Sequence, residues 1–419
     1  WKLRARDRKE PYSFDNLKSP YGYVLRTDRD GKKWQLYAGG FRNQYDIDFN
    51  ADGELFTYDS DMEWDVGLPW YRPTRILQVG PGGEYGFREG NNKWPEWRED
   101  TLPPVVNIGL GSPTGIKFGT KSNFPEKYRR ALFAMDWTYG RIIAVHMRPN
   151  GAGYTAKPPE PLPLDGPGTS EDVEDFLKGK GLPVTDLEFG KDGAMYFTIG
   201  GRGTQAALYR VSWAGDEPAH PGGILSKASP EREEVKRLHA IAPGAAESPL
   251  GIARGEQRRE PFLPPGVWSK MGSPSREVRF AARQLIEAQP ISTWGLQALS
   301  ETNPRTALTA LLAMGRIGSK EDQGPLLKSL VKFPLRSLDD NGRLLKLRVI
   351  NLSFVRQGRP APEVVKLAVE KLLNQYPAKG EQAWPLNYEL SELLVWLTNP
   401  EFGKGAKSDD PMYTESARQ

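Results

Sequence analysis

Residues 46–56, DIDFNADGELF, return at residues 186–196 as DLEFGKDGAMY, an offset of 140 that keeps Phe49 with Phe189, Asp52 with Asp192 and Gly53 with Gly193. An Asp-Gly pair between alternating apolar residues is a hairpin signal, so each stretch reads as two antiparallel strands. A third, degenerate copy lies between them. In it Gly115-Ile116-Lys117-Phe118 stands for the first half and Ala131-Leu132-Phe133 for the second, after an insertion rich in Lys and Arg. Each copy is followed by a further short apolar strand: Arg75-Ile76-Leu77-Gln78-Val79, Arg141-Ile142-Ile143-Ala144-Val145 and Leu208-Tyr209-Arg210-Val211. Short strands and Asp-Gly turns at such a period predict the blades of a β-propeller, a fold whose functional residues sit on loops about a central channel.

Upstream, Tyr23-Val24-Leu25-Arg26, Asp30-Gly31 and Trp34-Gln35-Leu36-Tyr37-Ala38 read as a hairpin closing a blade whose inner strands are missing or reduced to residues 1–19. Closed propellers use about 4–8 blades, so the expectation is a β-propeller incomplete at its N-terminal side, over residues 1–215. After Trp213 the strand pattern stops. Residues 216–267 are rich in Pro, Gly, Glu and Arg and read as a linker, with a short helix around 230–241. From 268 to 400 the period becomes helical. Val278, Ala281, Ala282, Leu285 and Ile286 form one stripe and Leu390, Leu393, Leu394 and Leu397 another, with shorter ones at Leu308/Leu311/Leu312, Leu345/Val349/Leu352 and Val365/Val369/Leu372. Helices separated by Pro- or Gly-containing turns suggest an all-α, HEAT-like solenoid, with 401–419 a flexible tail.

The chain has 419 residues, enough for two cores, and a net charge of +4, too small a basic bias to argue for nucleic acid. Zero cysteines excludes disulfides, thiolate zinc sites and covalent c-type haem attachment within these residues. No apolar run is long enough to span a bilayer and no signal segment opens the chain; because the first residue is Trp1, this says nothing about export. The candidate bases are His146, His220 and His239. A lone strand histidine such as His146 is more often packed than catalytic, and neither a Ser-His-Asp order nor a His-x-x-x-His is present.

Four segments carry candidate chemistry. Gly39-Gly40-Phe41-Arg42-Asn43 places a guanidinium and an amide at a loop, suited to carboxylates or quinone oxygens, or else forms a plain turn with a surface Arg. In Asp59-Ser60-Asp61-Met62-Glu63-Trp64-Asp65, carboxylates at alternate positions share one face if extended; Asp59, Asp61 and Glu63 suit Ca²⁺, or are a solvated acidic run. Trp70 and Tyr71, between prolines, can stack on a sugar or a flat cofactor, or pack between blades. Gly200-Gly201-Arg202-Gly203-Thr204-Gln205 is either a wide hairpin turn or a ligand loop with Arg202 as counter-charge to an anion.

GGFRNQYDIDFNADGELFTYDSDMEWDVGLPWYRPTR, GSPTGIKFG, FPEKYRRALFAMDWTYGRIIAVH and DGAMYFTIGGRGTQAALYRV together resemble the large secreted "membrane-bound dehydrogenase" proteins of planctomycetes and related bacteria. The resemblance covers residues 20–215 strongly and 268–400 more loosely. It implies a glucose/sorbosone dehydrogenase-type propeller followed by HEAT-like helices, in a periplasmic or secreted protein. In the quinoprotein sugar dehydrogenases, a Gly-x-Arg-Asn element supplies an Arg and an Asn to pyrroloquinoline quinone, which Arg42 and Asn43 match. A Ca²⁺ near the following strand polarises the quinone, and a histidine upstream of that element takes the hydroxyl proton. This chain has no His before His146, so the base is expected from a missing blade. The implied function is oxidation of sugars or polysaccharide-derived alcohols with electrons passing to a cytochrome c; the alternative is a non-catalytic carbohydrate- or protein-binding propeller with a scaffolding helical domain.

Overall fold

The computed structural model describes residues 22–32, 34–60, 72–87, 94–159, 168–215, 229–241, 263, 265–381 and 383–399. They fall into two compact units. One, the β unit, takes in the described residues of Pro20–Glu96 and Leu102–Glu233; the other, the helical unit, those of Trp97–Thr101 and Glu234–Gln419.

The β unit opens with the expected hairpin, β1 (Gly22–Thr27) and β2 (Trp34–Phe41), paired antiparallel. β3 (Ile47–Phe49), β4 (Leu55–Asp59) and β5 (Thr74–Val79) then run as an antiparallel meander. The two-residue β6 (Gly83–Glu84) pairs in parallel with β2, and β7 (Val106–Gly109) completes the first four-stranded sheet in the order β3-β4-β5-β7. The second sheet is built from β8 (Pro113–Phe118), β9 (Leu132–Asp136), β10 (Arg141–Val145) and β13 (Val173–Lys178). The short α1 (Glu126–Arg129) interrupts it after β8, and the hairpin β11 (Arg148–Asn150) and β12 (Gly153–Thr155) comes before β13. The third sheet has three strands, β14 (Val184–Phe189), β15 (Met195–Gly201) and β16 (Thr204–Val211). The sequence repeat is thus a repeat of sheets, and the degenerate middle copy is β8 and β9. The Asp-Gly turns work as expected: Gly53 and Gly193 take positive φ of 76° and 74°, where any side chain is strained.

Neighbouring sheets bury their faces against one another. Phe56, Ile76, Ile108, Ile116, Leu132 and Ile143 form one buried cluster between the first two, and Phe133, Ile142, Leu187, Phe189 and Phe197 another between the second and third. The turn aspartates also hold arginines. Asp52 accepts from Tyr154 Oη at 2.6 Å and from Arg232 Nη1 at 3.0 Å, while Asp192 accepts from Arg210 and Tyr196.

A helix stands where a short one was expected in the linker, α2 (Pro230–Ile241). The helical unit continues with α3 (Val267–Lys270), α4 (Arg276–Glu287), α5 (Ile291–Ser300), α6 (Pro304–Ile317), α7 (Lys320–Leu330), α8 (Asp340–Gln357), α9 (Pro362–Leu373) and α10 (Ala383–Thr398). Side chains cap the starts: Ser275 accepts from Val278 N–H, Asn303 from Thr306 N–H with Pro304 at the first helical position, and Asp339 from Gly342 N–H. The stripes read from the sequence face the interior. Val278, Ala281, Leu285, Leu308, Leu311, Val349 and Leu352 share one core, and Leu390, Leu393 and Leu397 pack with Leu347, Phe354 and Leu372 in a second.

Candidate functional site

Three inner strands, β3, β8 and β14, lie side by side, and their polar side chains are interleaved. Asp46 accepts from Ile116 N–H at 3.0 Å and Asp48 from Phe118 N–H at 2.8 Å, so the carboxylates of one inner strand bind the backbone of the next. Lys117 then reaches Glu188 at 3.2 Å and Asp48 at 3.9 Å. Burial raises the Asp48 carboxyl above its ordinary value, against the Phe118 N–H and Lys117. For Lys117, burial acts downward, but Asp48 and Glu188 outweigh it and the ammonium is held above its ordinary value. The alternation of acids in Asp46-Ile-Asp48 and Asp186-Leu-Glu188 was visible in the repeat; that these acids face a neighbouring strand was not.

At one end of the sheets, the β4–β5 and β9–β10 hairpins carry the same construction. Asp59, the last residue of β4, pairs across the ladder with Arg75 and is fully buried. It accepts from Arg42 N–H, Asn43 N–H at 2.9 Å and Arg75 Nη2 at 3.2 Å. Asp136, the last residue of β9, pairs with Arg141, is equally buried, and accepts from Ser112 N–H at 2.9 Å, Thr138 N–H at 3.1 Å and Arg141 Nε at 3.2 Å. In each case a carboxylate at the end of a strand fastens the segment that leads into an inner strand. Two buried acids fully engaged by N–H donors satisfy the demand that buried charge be paired and hydrogen-bonded.

The third sheet departs from this pattern. The fifth residue of β15 is Ile199, where β4 has Asp59 and β9 has Asp136, and its ladder partner is Ala207, where the other sheets have Arg75 and Arg141. The charge is gone and so is the bulk of the arginine. A cavity of about 580 Å³ opens there, with Ile199 and Ala207 in its lining together with Trp137, Tyr139, Gln205 and Tyr209. Thr204 and Lys180 add polar groups. Trp137 is held by its indole N–H donating to Gly200 C=O at 2.7 Å. The hairpin runs on to Gly201-Arg202-Gly203, and Arg202 has a φ of 49°, the one positive φ at a non-glycine among the described residues, with its guanidinium 5.3 Å from the centre of the Trp137 ring. Left-handed backbone at a residue with a side chain costs energy and tends to persist at sites of function.

The structure brings Arg42 and Asn43 to Asp59, but through their backbone N–H groups; the Arg42 side chain donates to Ser60 Oγ at 3.1 Å and Asn43 is exposed. Arg202 is placed instead on Trp137 of the second sheet. Asp61, Glu63, Trp70 and Tyr71 lie outside the described residues, as does His220. No group of three or more His, Asp or Glu side chains arranged to hold a metal occurs among the described residues. The donor set around Asp59 is that of an ion-paired structural carboxylate, and a Ca²⁺ there would have to displace Arg75. The Asn43 amide, exposed and next in the chain to Arg42, has donors suited to a ligand carboxylate. His146, just after β10, is half-buried, with its Nε2 3.0 Å from Glu174 Oε1 and its ring beside Tyr128.

No family model matches the chain, and no curated protein matches it. Among solved structures it is similar to the oxidoreductase (glucose dehydrogenase) of Thermus thermophilus, at 17% identity and a TM-score of 0.32, covering 42% of this chain and 47% of that one. It is also similar to the PQQ-bound aldose sugar dehydrogenase of Streptomyces coelicolor (16%, 0.29, covering 46% and 52%) and to the holo PQQ domain of pyranose dehydrogenase from Coprinopsis cinerea (12%, 0.27, covering 43% and 56%). The chain spans about half the length of each. No helix among the described residues is long and apolar enough to cross a membrane.

Proposed function

We propose that the β unit is a quinoprotein-dehydrogenase-type propeller that binds a sugar or sugar-derived alcohol in the cavity between Trp137 and Tyr209. One observation carries this reading: the buried Asp-Arg pair of the first two sheets is replaced by Ile199 and Ala207, and the vacated volume is walled by aromatics with Thr204, Gln205 and Lys180 beside them. Pyranose rings present an apolar C–H face and a polar edge, and stacking on Trp or Tyr with hydroxyls bonded at the side suits both. The volume lies within the range of small-molecule sites, about 300–1,000 Å³. Pyrroloquinoline quinone, when bound, supplies the hydride acceptor. Arg42 and Asn43 would hold its carboxylates, and Asp61 and Glu63 would supply Ca²⁺ ligands, as the sequence resemblance implies. Extracytoplasmic location, a cytochrome c acceptor and a HEAT-type stacking of the helices belong to the same proposal.

A second reading, non-catalytic carbohydrate binding, is favoured by the complete engagement of Asp59 in structural bonds. Titration with aldoses, followed by tryptophan fluorescence, tests the cavity: saturable quenching in the native chain and none in Trp137→Ala is the expected result. Reconstitution with quinone and Ca²⁺ separates the two readings. Reduction of an artificial dye with aldose supports the dehydrogenase; sugar binding without a cofactor absorbance change or dye reduction supports the binding module.

A further inference from the structure

Five residues from the chain between β6 and β7, Trp97–Thr101, belong to the helical unit, and every one of them is bound there by side chains of the helices. Asp100 is fully buried and lies bidentate on Arg348 of α8, with Oδ1 at 2.9 Å from Nε and Oδ2 at 2.7 Å from Nη2, and Arg316 of α6 at 3.3 Å. Burial alone would raise its pKa; Arg348 and Arg316 hold it far below the carboxylate range. Arg98, also buried, points the other way and lies bidentate on Glu389 of α10, at 2.7 and 3.2 Å, with Glu392 as a further partner. The Trp97 indole N–H donates to Glu389 Oε1 at 2.9 Å and its ring meets Tyr388 edge to face. Glu99 is clamped by Arg279 of α4, and Arg276 donates to the backbone carbonyls of both Arg98 and Thr101.

This is the contact pattern of a peptide in a receptor groove rather than of a loop resting on a core. Bidentate charge pairs of opposite sign read two side chains two residues apart, an aromatic is seated beside them, and a fixed guanidinium reads the main chain. We propose that the helical unit is a peptide-recognition module whose groove, formed by α4, α6, α8 and α10, selects an aromatic-Arg-x-Asp segment and is filled in this chain by its own copy, Trp97-Arg98-Glu99-Asp100. The ligand class is a short peptide with a cation and a carboxylate at alternate positions, folded into a turn like the one Thr101 N–H closes on Arg98 C=O at 3.0 Å. Arg348 and Arg316 select the carboxylate, and Glu389 with Glu392 selects the cation.

The test uses the full chain and a fluorescent peptide of the sequence WPEWREDTLP, residues 94–103. In a variant carrying R98A and D100A, the groove loses its internal ligand. The peptide is then expected to bind saturably by anisotropy, at least about tenfold more tightly than it binds the native chain, whose groove is filled. A control peptide with Ala in place of the Arg and the Asp should not bind either. Should the double variant lose its helical circular dichroism, Trp97→Ala, which loosens the segment and keeps its ion pairs, takes its place and must show the same order of affinities. A folded variant that ignores the peptide, or that binds the control peptide equally well, overturns the proposal.

Discussion

The second and third sheets of the β unit end their middle hairpins in opposite ways. In the second, Asp136 and Arg141 fill the end of the ladder with a buried ion pair and fasten the Ser112 backbone. In the third, Ile199 and Ala207 hold the same ladder positions, and an aromatic-walled cavity takes the space. The backbone plan is common to both, so the difference is one of side chains. A repeated scaffold gains a cavity where it gives up one of its own fastenings.

The comparison is broken most severely by Asp136→Ala. Arg141 would keep Asp175, 2.9 Å from its Nη1, but the N–H groups of Ser112 and Thr138 would lose their acceptor, and stranded buried donors cost about 1–3 kcal/mol each. Urea denaturation should register that loss, and a cost under about 1 kcal/mol would remove the carboxylate from its structural role. It is sharpened by writing the second sheet's residues into the third. I199D with A207R should fill the cavity and weaken sugar binding by at least about tenfold, read by fluorescence titration, with the β signature of the circular dichroism retained. Unchanged affinity would place the sugar elsewhere.

A smaller effect is expected at the hairpin tip. Arg202→Gly relieves a left-handed residue, worth about 1 kcal/mol, and forfeits about 0.5 kcal/mol of attraction to the Trp137 ring, so urea denaturation should show a slight rise in stability, and a loss would give the Trp137 contact the larger share. The smallest contrast lies at the inner strands. Lys117 is held above its ordinary value of 10.5, chiefly by Asp48 and Glu188 acting against burial, so the folded chain keeps this proton longer than the unfolded one. The stability it contributes is present below pH 10.5 and is lost as pH rises through the folded value. Native protein should therefore lose more stability in that alkaline window than Lys117→Met does, and equal losses would dismiss the pairing.

The sheets were legible because their signals are local. Asp52-Gly53 and Asp192-Gly193 turns and alternating apolar residues announce hairpins without knowledge of what they face. The helical stripes were legible for the same reason, and Val278, Leu285 and Leu390 are buried where the period places them. The site was less so. Ile199 and Ala207 are ordinary strand residues, and only their departure from Asp136 and Arg141 at equal ladder positions marks them. Arg42 and Asn43 were readable as loop residues, but not that their main-chain N–H groups bind Asp59. Trp97–Asp100 carries no signal of its own, since Arg348 lies 248 residues beyond Asp100 and Glu389 lies 291 beyond Arg98, and neither leaves a mark on the local pattern.

Gly115 stands where the flanking copies have Asp46 and Asp186. A Cβ at this position would come within 2.7 Å of Asp186 Oδ1 and 2.8 Å of Asp186 Cα. The middle copy is thereby unlike its siblings in a way that cannot be undone singly: an aspartate at 115 would press its Cβ into both the carboxylate and the backbone of Asp186. A repeated pattern leads one to expect interchangeable modules, yet here each is fitted to its position, and shuffling them would cost the fit.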